Sequence, residues 1–174
     1  MVRRASRGDE SAAGALFDHY YPRIYAYALA KLRNTPDAED VASETFAHVL
    51  RDMDRFRWTG GGFEPWLFRI AGNVIIDRFR AGNGEVLGNE APAEIISLDE
   101  SPEEAAVRSE LRNELIQMTS TLVPDQQEVL LLRFAAGLST HEVAAVMHRK
   151  VNAIRQLQFR ALQSLRSQMR VEQA

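Results

Sequence analysis

The chain contains no cysteine. That absence excludes a disulfide framework, thiolate zinc sites and cysteine nucleophiles, and it fits a reducing compartment. Long apolar runs are missing as well: none approaches the length of a membrane span, and no signal peptide precedes Arg3 and Arg4. A soluble, cytoplasmic protein without membrane insertion is therefore expected. Catalytic signatures are equally scarce. His141-Glu142 begins the HExxH zinc pattern, but the second histidine would have to replace Ala145, and His148 stands too far along. No P-loop, Ser/His/Asp set or carboxylate pair at a useful spacing is present. No enzyme, metal site or cofactor is expected.

What is present is an ordinary globular composition, 45% hydrophobic over 174 residues, enough for one domain or two small ones. The net charge of -3 argues superficially against nucleic-acid binding, but the distribution of charge points the other way. Residues 81–107 hold Glu85, Glu90, Glu94, Asp99, Glu100, Glu103 and Glu104 with no lysine or arginine, which leaves the remainder net positive. Between Val143 and Val171 stand Arg149, Lys150, Arg155, Arg160, Arg166 and Arg170 with no acid. A local basic stripe matters more to phosphate binding than the chain average.

The chain is organised around residues 37–80. In a first amphipathic pattern Ala42, Phe46, Val49, Leu50 and Met53 recur at three- and four-residue steps. Asp37, Asp40 and Glu44 form a separate acidic stripe. Arg57, Trp58, Thr59 and Gly60–Gly62 then lead into a second helical pattern through Trp66, Leu67, Ile70, Val74 and Asp77, ending at Arg78, Phe79 and Arg80. An acidic helix beside an aromatic–glycine loop and a basic helix end suits a protein partner on one face and a nucleic acid on the other.

The segments DAEDVASETF and WTGGGFEPWLFRIAGNVIIDRFR resemble the second conserved region of bacterial sigma factors, specifically the extracytoplasmic-function (ECF) group of the sigma-70 family. The resemblance implies that the helix from Pro36 to Phe56 docks on core RNA polymerase, with Asp37, Asp40 and Glu44 meeting basic residues of the clamp helices. Charge complementarity of that kind speeds encounter and fixes register. As exposed charges, the three should matter little to stability. Ser43 departs from the family pattern, which often has glutamine there. The loop would trap a base flipped from the minus-10 element, with Arg57 and Trp58 in contact and Phe63 as a second wall. Asn73, Asp77, Arg78 and Arg80 match DNA-facing positions on the following helix. Read without the family, the glycines are a flexible turn.

Towards the C-terminus, Ser139 and Glu142 form a capping box ahead of a short helix. A turn at His148–Lys150 follows, and then a basic helix from Val151 to Met169 whose Ile154, Leu157, Ala161 and Leu165 share one face. Two helices joined by a tight turn, the second basic, read as a helix-turn-helix. LVPDQQEVLLLRFAAGLSTHEVAAVMHRKVNAIRQLQFRALQSLR resembles the fourth conserved region of sigma factors, which reads the minus-35 element. The resemblance assigns Arg155, Gln156, Phe159 and Arg160 to the major groove and its phosphates, and Arg149, Lys150 and Asn152 to the DNA backbone. His148 stands where a glycine usually makes the turn.

The remaining chain fits an all-α protein of two small helical domains. Residues 9–33 read as a first helix through Ala13, Leu16, Phe17, Tyr20, Ile24, Tyr27, Ala28 and Leu32, with Tyr21-Pro22 marking a kink or break. Thr35 is the expected N-cap of the next helix, with Pro36 at its first position. Val129, Leu130, Leu132 and Phe134 suggest a short buried helix closed by Gly137, after a helix carrying Val107, Leu111, Leu115 and Met118. The expected division is 1–80 for the region 2 domain, 81–106 for a flexible acidic linker and 107–174 for the region 4 domain. The expected partners are core RNA polymerase and promoter DNA, with an anti-sigma factor as the inhibitor common in the family. An ordinary helix-turn-helix regulator using residues 1–80 as a dimerisation or sensor domain is the alternative. A polymerase-binding adaptor that never reads DNA is a third reading.

Overall fold

Local signals in the sequence place most helix ends. In the computed structural model, which describes residues 1–58, 61–81 and 118–172 (backbone only from 170), helix α1 spans Val2–Ala5 and α2 spans Glu10–Leu32. The Asp9 carboxylate caps α2 by accepting from the Ala12 amide at 3.0 Å. That bond, with Arg4 beside it, holds the Asp9 carboxyl below its ordinary value of 3.8. The cap's contribution is therefore present above that pH and is lost as pH falls through the lowered value. Pro22 does not break α2. Both Pro22 and Asp18 are exposed, so the carbonyl that the missing N–H leaves free at Asp18 faces water.

Helix α3 covers Thr35–Asp52, extended by a 3₁₀ turn at Met53–Arg55. Its N-cap is Asn34, not Thr35: the Asn34 side chain accepts from the Asp37 amide at 2.8 Å. Pro36 moves to the second helical position accordingly. Helix α4 runs Phe63–Arg80. The chain splits into two compact units, Met1–Glu90 and Ala91–Ala174, and α2, α3 and α4 pack together in the first. Its core joins Leu16, Ile24, Tyr27 and Leu29 of α2 to Val41, Ala42, Phe46 and Val49 of α3 and to Leu67, Phe68, Ala71 and Ile75 of α4. Tyr27 meets Phe68 edge-on at 5.8 Å between ring centroids. Two expected core residues lie elsewhere. Leu50 is 57% exposed, because it sits about 100° round the helix from the buried Val49. Phe17 is exposed on one side while its ring packs on Tyr21 and Phe46, each at 4.8 Å.

In the second unit α5 spans Pro124–Leu130 and passes into a π-turn at Leu131–Ala135. Helix α6 is Thr140–Val146 and α7 is Val151–Glu172. The π-turn explains why Phe134 is exposed instead of buried: the wider i→i+5 closure, with the Ala136 amide on the Leu131 carbonyl at 3.0 Å, rotates it out of the α5 face. Gly137, at φ 69°, ends this segment as expected. Leu122, Leu130, Ala161 and Leu165 form one core, with Met118 against it. The acidic stretch expected as a linker, apart from Ala81, and the helix expected through Val107, Leu111 and Leu115 lie outside the described residues. Among the described residues the regular structure is helical throughout, and no strand occurs.

The apolar pattern of unit 1 makes a direct test possible. Phe68→Ala should destabilise by about 3–5 kcal/mol, because it empties a fully buried ring site. Leu50→Ala, in an equally apolar position of the sequence, should stay within about 0.5 kcal/mol. Denaturant unfolding of the two variants checks the contrast.

Candidate nucleic-acid interface

Tight backbone geometry shapes the loop between α3 and α4. Gly62 has φ 81° and ψ -168°, a conformation that essentially only glycine adopts. A Cβ there would meet nothing closer than Glu64 at 3.9 Å, so the requirement for glycine is conformational and not steric. Phe63, the second expected wall of a base pocket, is instead 2% exposed. It packs in an aromatic cluster with Tyr20 at 5.3 Å, Phe56 at 5.6 Å and Trp66 at 5.6 Å. The Tyr20 hydroxyl donates to the Glu64 carboxylate at 2.6 Å, tying α2 to the start of α4. Trp58 stays 54% exposed, held edge-on by Phe56 at 5.3 Å. Arg57 folds back on the loop and donates to the Asp54 carbonyl at 3.0 Å.

On α4, Asn73, Asp77 and Arg80 share one exposed face, and Arg80 reaches Asp77 at 3.7 Å. Arg78 does not belong to that face. Five residues on from Asn73, it lies roughly 140° round the helix. Its guanidinium turns to α3, where Nε donates to Asp37 at 3.0 Å and a terminal nitrogen donates to Asp40 at 2.6 Å. Burial would lower the Arg78 pKa, but the Asp40 hydrogen bond and the charges of Asp37 and Asp40 outweigh it and hold the group above its ordinary value. The acidic stripe is therefore divided. Asp37 is 22% exposed and engaged with Arg78, Asp40 is engaged but 67% exposed, and Glu44 stands free of α4 with His48 at 3.6 Å. The three carboxylates are not equivalent surface charges, contrary to the expectation from spacing alone.

The second unit presents the turn and basic helix as a helix-turn-helix. Ser139 and Glu142 close the capping box, with the Glu142 carboxylate accepting from the Ser139 amide at 2.6 Å and the Ser139 hydroxyl from the Glu142 amide at 3.3 Å. That engagement gives the Glu142 carboxylate a structural role at the start of α6. His148 takes φ 52°, the left-handed conformation that the missing glycine would have supplied. The Lys150 carbonyl opens α7 by accepting from Ala153 at 2.9 Å and Ile154 at 3.2 Å. Arg149 pairs with Asp125 across the unit, so this expected phosphate contact already has a carboxylate partner. Lys150 and Asn152 are exposed. Along α7, Ile154, Ala161 and Leu165 are buried and Leu157 is half-buried, while Arg155, Gln156, Phe159 and Arg160 face outward. With Gln163 these four line an open surface depression. The Asn152 side chain lies 3.5 Å from the Arg155 guanidinium.

A helix-turn-helix unit with an outward basic face, alongside a separate helical unit, defines a DNA-reading class of protein. Comparison with known proteins narrows the class. Residues 16–84 match the family model for Sigma-70 region 2, and residues 120–167 match that for Sigma-70, region 4. The ECF RNA polymerase sigma factor SigW of Bacillus subtilis is 30% identical over 97% of this chain and 95% of its own length. ShbA of Streptomyces griseus, also an ECF sigma factor, is 34% identical over 96% of this chain and 92% of its own. BldN of Streptomyces coelicolor is 36% identical over 95% of this chain, which spans only 63% of BldN. In fold the chain resembles CnrH, solved with the cytosolic domain of CnrY, at a TM-score of 0.73 and 24% identity, covering 98% of this chain and 95% of that one. It also resembles RpoE of Bartonella quintana, solved with the anti-sigma factor NepR, at 0.67 and 22%, over 91% and 96% of the two chains. The chain belongs to the ECF group of the sigma-70 family of RNA polymerase sigma factors. No described helix is long and apolar enough to cross a membrane.

The Arg78 pairs should be measurable as a coupled unit. Arg78→Gln is expected to lower stability by about 1–3 kcal/mol. A cycle with Asp37→Asn should show a coupling of about 1 kcal/mol, whereas Glu44→Lys should leave the melting temperature within about 2 °C. Strictly additive losses in the cycle would mean that Arg78 and Asp37 do not interact in solution.

Proposed function

We propose that this chain binds core RNA polymerase and directs promoter-specific initiation of transcription, with polymerisation left to its partner. In this reading residues 1–80 dock on the polymerase clamp helices and recognise and open the minus-10 element, 81–106 form the linker, and 107–174 read the minus-35 element. The observation that carries it is the partition of α7: apolar Ile154, Ala161 and Leu165 inward, Arg155, Gln156, Phe159 and Arg160 outward. Arginine can pair two acceptors on guanine and glutamine can pair with adenine. Lys150 and Asn152 contact the DNA backbone, and Arg149 joins them if phosphate replaces Asp125 as its partner. In the first unit, Trp58 offers the stacking surface, Arg57 stands beside it, and Asn73, Asp77 and Arg80 face the strand. Asp40 and Glu44 are the carboxylates most open to polymerase, and Arg78 acts by holding α4 against α3. An anti-sigma factor is the class of inhibitor proposed, and the cytoplasm the compartment.

In vitro transcription with core polymerase over a promoter library tests the whole reading. Initiation only in the presence of core supports it; tight binding of the isolated protein to a palindromic duplex, without effect on polymerase, would indicate an ordinary regulator. Residue by residue, Arg155→Ala should cost about 1–3 kcal/mol at one base pair and relax discrimination there. Lys150→Ala should weaken all minus-35 variants alike and flatten the salt dependence. Trp58→Ala should impair opening of duplex promoters more than binding to a pre-melted bubble. Holoenzyme binding at two salt concentrations separates these outcomes.

A further inference from the structure

Residues 1–8 precede the part of the chain matched by the region 2 family model, which begins at residue 16. They carry Arg3, Arg4 and Arg7 and no acid. The structure folds this segment back onto the first unit. The Gly8 amide donates to the Ala5 carbonyl at 3.0 Å, and the Asp9 amide to the Arg4 carbonyl at 3.2 Å. Gly8 makes the reversal at φ 83°. The Arg4 side chain pairs with Asp9, just beyond the segment, at 2.8 Å, so its charge already has a carboxylate partner. Arg3 goes elsewhere: its guanidinium lies over the exposed Trp58 ring, 5.6 Å from the centroid. A pair of residues far apart in sequence thus stacks on the rim of the loop, with Arg57 adjacent.

We propose that Arg3 and Trp58 form a joint binding site for single-stranded DNA, with the basic segment 1–8 part of the promoter interface. An indole face and a planar guanidinium are both surfaces on which an unstacked base can lie, and the guanidinium also attracts the neighbouring phosphate. Arg3 pins the indole from one side while Phe56 meets it edge-on, so the ring is held ready for a base. The site takes the base as a planar π surface, not by its hydrogen-bonding edge, and is therefore tolerant of base identity. The inference rests on Trp58 lying in the promoter-facing loop.

The test uses holoenzyme reconstituted from core polymerase and a fluorescently labelled pre-melted promoter bubble, with Arg3→Ala, Arg3→Lys, Trp58→Ala and the Arg3→Ala/Trp58→Ala double variant. Arg3→Ala should weaken bubble binding by roughly fivefold and reduce the slope of log K against log salt by about 0.7, one strand phosphate's worth. Arg3→Lys should keep the slope while losing part of the affinity, because an ammonium is not planar. The double variant should be weaker than Trp58→Ala by less than the full Arg3 effect. If Trp58→Ala weakens binding while Arg3→Ala changes neither affinity nor slope, the joint site is refuted and the promoter reading of Trp58 stands. If neither variant weakens bubble binding, the joint site is refuted, while the promoter reading of Trp58 is judged separately by the opening of duplex promoters. A loss of core-polymerase affinity in Arg3→Ala, at unchanged bubble binding, would make the segment a protein-docking element and overturn the proposal.

Discussion

Burial of α2 is the constraint to which the first unit answers. From Leu16 to Leu32 the helix carries buried side chains on most of its circumference, including the fully enclosed Ile24 and Ala28. Such a helix must be covered on two sides, and α3 and α4 are the two covers. Each cover then has one apolar face turned inward and one polar face left over. The acidic stripe of α3 and the Asn73–Asp77–Arg80 face of α4 are those remainders, so the surfaces proposed for polymerase and promoter follow from one packing problem.

Polar contacts then set how the covers meet. Arg78 brings two carboxylates of α3 to the end of α4, and Tyr20 fixes the start of α4 through Glu64. Both contacts join residues about forty positions apart, and both lie at the ends of α4, where a rotation or slide of the helix would move its outer face most. The loop between α3 and α4 is anchored in the same manner by buried Phe63 and half-buried Phe56, which leaves Trp58 as its outward ring. A ring proposed to stack a base is useful only if its position is defined, and the aromatic cluster supplies that definition.

The second unit reaches a comparable result through polar contacts and apolar burial. Its short helices, the capping box and the left-handed His148 fix the turn locally, and apolar burial along one side of α7 decides what the other side shows. The pairing of Arg149 with Asp125 ties the turn to α5, and the Arg149 amide, donating to the Ala144 carbonyl at 2.9 Å, ties it to α6.

Much of this is legible in the order of the residues. The 3.6-residue period determines which side of α7 is buried, whereas on α4 the resemblance groups Arg78 with Asn73 and the contacts with Asp37 and Asp40 separate them. The Ser139 capping box and the Gly137 stop are encoded within a few residues, whereas the left-handed backbone at His148 is not, because a histidine carries no such signal of its own. Residue order is therefore enough to specify the helical class, the helix-turn-helix and its outward face, because each depends on interactions within one or two turns. The tertiary structure alone decided that Asp37 is half-enclosed by Arg78, that Phe63 is core while Trp58 is surface, that a π-turn expels Phe134, and that Arg3 lies on Trp58. Those outcomes depend on which side chains from remote segments arrive at the same place, and a helical period specifies the direction of a side chain but not its neighbour.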